Sequence, residues 1–245
     1  MGKRYSLHVG LNNVDWRSYK AKVPELPTCE ADAYAMANIC EFAGVESLEL
    51  LIGELALKQS FINKMKNYAK LLKENDFLII TFSGHGTQLT DSSFDERDGK
   101  DEALCFYDGV VRDDIIFRLL SSFKSGTRIL VISDSCFSGS ILKSNSPKPE
   151  SLNLVKRNHL YPIKPSVRLL SACQESELAV IKKNQPLSLF TSRLVEVWDQ
   201  GKFSGNYLDF YQRVLASMPS NRQVPQYVKL GTIDHKFDRM RPFYI

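Results

Sequence analysis

Apolar residues in this chain fall into short unbroken runs, separated by longer stretches where they recur every three or four positions. Five runs read as strands: RYSLHVGLN (4–12), SLELLIG (47–53), DFLIITFSG (76–84), RILVISDS (128–135) and VRLLSAC (167–173). Most are continuous rather than alternating, so the sheet they form is expected to be covered on both faces. Between them, residues 30–44, 58–75 and 112–123 carry helical spacing, and the third opens with acids, as suits the positive end of a helix. Two further helical patterns, 187–201 and 207–218, precede a last short strand near 225–231. The alternation predicts an α/β fold with a mostly parallel sheet.

Two stretches break the pattern. Residues 86–102, GTQLTDSSFDERDGKDE, are polar and acidic and are expected to be irregular. Residues 143–165 are rich in Pro, Lys and Ser and read as a linker loop. The expected organisation is one domain over 1–245, with a larger part at 1–142 and a smaller one at 166–245.

With 245 residues, 43% of them hydrophobic, the chain can bury a core without disulfide or metal support. The net charge of +4 is scattered, with no basic stripe interleaved with aromatics, so no nucleic-acid partner is expected. Cys29, Cys40, Cys105, Cys136 and Cys173 form no CxxC pair, which suggests a reduced, cytoplasmic chain. No window approaches the roughly 18 apolar residues of a membrane span, and no membrane partner is expected. The opening MGKRYS fits the pattern for acylation at Gly2, although it also reads as the approach to a first strand.

In open α/β sheets, ligands sit beyond the carboxyl ends of the strands. The run at 76–84 leads into His85, and that at 128–135 into Cys136; small residues flank both. A thiol needs a base or a lowered pKa to act as a nucleophile, and an imidazole supplies either. Cys136 would attack a carbonyl, His85 would move protons, and the N–H groups of Gly86 and Cys136 would hold the oxyanion. The acidic stretch is a second candidate site. Calcium takes six to eight oxygens, and Asp98, Asp101, Asp113 and Asp114 form the expected ligand pool for Ca2+. The alternative is a solvated acidic loop, and the spacing is not that of an EF-hand.

Together, FSGHGTQL (82–89), DERDGKDEAL (95–104), ISDSCFSG (132–139), LSACQESELA (170–179) and QVPQ (223–226) resemble a metacaspase, in the caspase-like group of cysteine peptidases. The short form is similar to the prokaryotic members, the orthocaspases. The resemblance implies a caspase-like three-layer sandwich with a six-stranded sheet and helices on both faces. It implies a Cys/His endopeptidase acting on proteins or peptides with Arg or Lys at P1, and calcium stimulation. Cys29, Asp32, Ser83 and Asp134 would form the S1 pocket, where paired carboxylates suit a guanidinium and repel an aspartate. Phe137 stands where many metacaspases have His. Lys156 and Arg157 in the linker are candidate self-cleavage points. A monomer is expected. Alternatives are a legumain-like or gingipain-like peptidase of other P1 specificity, or a non-catalytic caspase-like scaffold.

Overall fold

A computed structural model describes residues 2–19, 22–90, 100–135, 162–172, 186–219 and 224–244, with Thr90, Lys100 and Asp101 described as backbone only. Six strands form one sheet: β1 (Arg4–Gly10), β2 (Ser47–Ile52), β3 (Phe77–Ser83), β7 (Arg128–Asp134), β8 (Ser166–Ser171) and β9 (Gln226–Gly231). Their spatial order is β2-β1-β3-β7-β8-β9. All neighbours run parallel except β9, which closes one edge antiparallel to β8.

The unbroken apolar runs exist because the sheet is covered twice. Along β3, Leu78, Ile80 and Phe82 face one core and Phe77 and Ile79 the other, all nearly or fully buried. On the second face lie α1 (Cys29–Phe42), α4 (Leu189–Trp198), α5 (Tyr207–Ser217) and α6 (His235–Arg239). On the first lie α2 (Lys58–Leu71) and α3 (Asp113–Ser121). The expected mostly parallel six-stranded sheet with helices on both faces is present.

The structure corrects the sequence reading at 86–102. Gly86–Thr90 is a strand, β4, paired antiparallel with β5 (Lys100–Phe106), which pairs with β6 (Gly109–Arg112) in a separate three-stranded sheet. The count of acids hid a buried strand: Glu102, Ala103, Leu104, Cys105 and Phe106 are all buried, and Gln88 Nε2 donates to Glu102 Oε1 across the ladder at 3.3 Å. Helical patterns also end earlier than the spacing suggests. α2 stops at Leu71 rather than 75, where Asn75 takes a positive φ of 68°. α4 stops at Trp198, before three successive left-handed residues, Asp199, Gln200 and Gly201.

The end of the sheet opposite the strand carboxyl termini is fixed by two buried arginines. Arg128 on β7 donates from Nε to Asp234 at 2.7 Å. Arg168 on β8 donates to Asp238 at 2.7 Å and lies 4.8 Å from the centre of the Phe237 ring. Both partners sit on or next to α6, so this short helix is held by charge as well as by Phe237, which is fully buried.

Candidate active site

β1, β3 and β7 end together, and their last residues build one polar layer. Gly10 pairs with Ser83, and Ser83 pairs with Asp134. Gly10 must lack a side chain here: a Cβ would lie 2.6 Å from the Cys29 carbonyl oxygen and 2.7 Å from the Ala33 Cβ. The first turn of α1 therefore rests directly on the end of β1. A reciprocal clamp fixes it, with the Glu30 N–H on Asn12 Oδ1 at 3.0 Å and the Asn12 N–H on Glu30 Oε1 at 3.4 Å. The result places Cys29 and Asp32 beside the strand ends, both buried.

Asp32 and Asp134 form a buried acid pair, 1% and 5% exposed. Ser83 Oγ donates to Asp32 Oδ2 at 2.8 Å, and the Ser188 N–H donates to Asp32 Oδ1 at 2.9 Å. Asp134 Oδ2 accepts from Ser188 Oγ, from Thr191 Oγ1 at 2.8 Å and from the Thr191 N–H at 3.2 Å. No described Lys or Arg pairs with either carboxylate. Burial, with the neighbouring Asp134 charge behind it, pushes the Asp32 carboxyl up to about 7. Burial also raises Asp134, against the pull of the Ser188 and Thr191 donors. The site is thus a buried acid recess with no counter-ion among the described residues. Ser188 and Thr191, at the start of α4, belong to it although nothing in their local sequence marks them.

His85 lies two residues beyond the end of β3 and is half-buried. Its backbone carbonyl accepts from the Cys105 N–H at 2.9 Å, and its Nε2 lies 2.7 Å from the Pro24 carbonyl oxygen. A carbonyl only accepts, so Nε2 carries the proton and Nδ1 is the basic nitrogen. Burial lowers the imidazole pKa, and the Pro24 bond opposes that only in part. The ring is therefore oriented and neutral near pH 7. Pro24 is held in turn by its own segment. Leu26 N–H bonds Asn12 O at 2.9 Å, Asp15 N–H bonds Tyr107 O at 2.9 Å, and Tyr19 Oη bonds Gly109 O at 3.0 Å. A backbone carbonyl has no residue signature, so this partner is invisible in the sequence.

Gly86 stands opposite Leu104, while Cys105 N–H bonds His85 O. That is the non-hydrogen-bonded position of an antiparallel ladder, so the Gly86 N–H points away from β5 and is not consumed by it. Cys136, Asp98, Lys156 and Arg157 lie outside the described residues, as does the side chain of Asp101. His85 and Cys136 are 51 residues apart in sequence, the separation of the register partners Ser83 and Asp134.

Of the expected calcium ligands, Asp113 and Asp114 are described. They open α3, and Asp113 Oδ1 accepts the Asp114 N–H at 2.8 Å, the use that a helix start makes of an acid. Among the described residues no group of three or more His, Cys, Asp or Glu could hold a metal ion. The other half of the expected pool, Asp98 and the Asp101 side chain, lies outside the described residues.

Comparison with known proteins bears on the family and the fold. The family model described as metacaspase, peptidase C14 domain, matches residues 6–145. Metacaspase-3 of Arabidopsis thaliana is 33% identical over 156 residues, which is 58% of this chain and 41% of the relative. Metacaspase-1 of Kluyveromyces lactis is 28% identical over 155 residues, 58% of this chain and 34% of the relative. The chain thus matches well under half the length of these curated relatives. The crystal structure of protein GSU0716 from Geobacter sulfurreducens superposes with a TM-score of 0.83 at 32% identity, covering 99% of both chains.

Proposed function

Because the chain belongs to the metacaspase peptidase C14 family, we propose that it is a cysteine endopeptidase that cleaves peptide bonds after Arg or Lys. The buried Asp32–Asp134 pair, lacking a described counter-ion, carries this reading. A P1 guanidinium or ammonium would supply the missing charge, and a P1 Asp would add a third like charge to a low-dielectric recess.

Cys136 is the nucleophile of this proposal. Neutral His85, holding its Nε2 proton on Pro24 O, takes the thiol proton at Nδ1 and returns it to the leaving amine. The Gly86 N–H, free of the β4–β5 ladder, is one oxyanion donor, and the Cys136 N–H the other. Asp32 and Asp134, lined by Cys29 and Ser83, hold P1.

The sequence expectations of calcium stimulation, self-cleavage at Lys156 or Arg157, monomeric state and a cytoplasmic setting join the same proposal. No step above passes through calcium.

The test is cleavage of peptides with P1 Arg, Lys, Asp or Asn by the purified chain, with calcium and with chelator. Cleavage after Arg or Lys, lost in Cys136→Ala, is expected. Cleavage confined to Asn or Asp would favour the legumain-like alternative. Inactivity toward every peptide, before and after cutting the linker, would sink the peptidase reading in favour of a scaffold.

A further inference from the structure

Ser188 stands between the two acids, donating its N–H to Asp32 and its Oγ–H to Asp134. Thr191, one turn further into α4, gives both its N–H and its hydroxyl to the same Asp134 oxygen. With Ser83, the pair receives five donors, none of them charged. Neutral donors favour ionisation but supply no counter-charge, and two like charges at this depth do not both persist without one.

Among the described residues, the neighbouring groups do not provide that charge. From β1, His8 is fully buried with Nδ1 on Thr81 Oγ1 at 2.9 Å, and burial holds its pKa down to about 3, so it is neutral. From α1, the Glu30 carboxylate lies near the Asn12 N–H, and Cys29 is a buried thiol. His85 is occupied by Pro24. On α4 the first turn contains no acid, and Arg193 pairs with Glu196.

We infer that Ser188 and Thr191 are positioning residues of the P1 pocket: they orient the two carboxyls, which burial and their mutual repulsion keep at one proton while the pocket is empty, and an arriving P1 cation expels that proton to solvent. The inference rests on the basic-P1 reading above. It makes specificity a proton exchange. A cation binds two carboxylates that were singly charged in its absence, and a neutral or acidic side chain cannot drive the second ionisation. It also assigns the pocket to both parts of the chain, since Asp32, Ser83 and Asp134 precede the 143–165 segment and their α4 donors follow it.

The experiment is calorimetric titration of Cys136→Ala with an Arg-P1 peptide at pH 7, in phosphate and in Tris. Different apparent enthalpies, corresponding to release of up to about one proton per peptide, are expected. In the active enzyme, Ser188→Ala and Thr191→Val should each raise KM for the Arg peptide about tenfold, as loss of a hydrogen bond to a charged group implies. They should leave kcat within about threefold and move the pH inflection of KM upward; Thr191→Ser should restore both. Equal enthalpies in the two buffers would overturn the inference, as would variants that stay folded and leave KM and its pH inflection unchanged. If Ser188→Ala does not fold, the wild-type proton count and the Thr191 pair still decide. If the enzyme neither binds nor cleaves basic-P1 peptides, the underlying specificity reading fails; if it cleaves them without releasing protons, only this inference does.

Discussion

Ser83 and Asp134 are register partners at the last rung of β3 and β7, and both belong to the acid recess. The rung below pairs Phe82 with Ser133, and Phe82 already packs into the core. One step in register thus separates the core from the acid recess. Because parallel strands end at the same level, the sheet delivers residues from distant parts of the chain to one edge without any long connection having to fold back.

Removing either acid should abolish recognition rather than chemistry. Asp32→Asn and Asp134→Asn should each cost about 2–5 kcal/mol in kcat/KM for an Arg-P1 peptide, the usual penalty for losing one member of a buried charge contact. Steady-state kinetics with Arg-P1 and Gln-P1 peptides would check it. The Gln peptide should lose far less.

Stability should respond to pH through Asp32. Its folded pKa, about 7, lies above the unfolded value near 3.9. Between those values the native state binds the extra proton, so this group stabilises fully below about pH 4 and its contribution is lost as pH rises through about 7. Thermal unfolding of the empty protein should show this loss, and Asp32→Asn should flatten it.

His85 should place the acid limb of kcat below the pH of a free imidazole, because burial lowers its pKa and the neutral form is the base. KM should have its inflection nearer 7, from the acid pair. The two limbs are separable in one pH series. His85→Ala should lower kcat by about 10²–10⁴.

Far from the site, Asp238→Ala leaves Arg168 buried, its side chain 2% exposed, without its carboxylate. A loss of about 3 kcal/mol is expected by denaturant titration, with kcat/KM unchanged where the protein is folded. Gly2→Ala should also destabilise, by on the order of 1 kcal/mol, because a Cβ would lie 1.9 Å from the Asn75 carbonyl oxygen. That loss should appear even in a host that cannot acylate Gly2.

The sheet was legible because burial on both faces leaves runs such as FLIITF, in which Thr81 alone is polar. The position of His85 just past β3 was legible because strand ends are where such folds place ligands, while Asp134 was singled out through the family resemblance. The hairpin sheet was not, since β4 and the start of β5 carry polar residues on both faces and resemble a loop in composition. Pro24 acts through its carbonyl, and Ser188 reads in sequence only as a helix cap. Their roles depend on which distant side chain lies opposite, which local pattern does not encode. The acids at 113–114 start α3, a use of the same residues that composition alone does not separate from metal binding.

The order of strands in space has a consequence for biosynthesis. The ribosome releases β1, β2, β3 and β7 first, and these can assemble side by side as they emerge. At that stage both acids of the recess exist, but Ser188 and Thr191 have not been made. A nascent chain therefore buries its two acids together before two of the residues that donate to them exist, so the recess is finished only after α4 has been made.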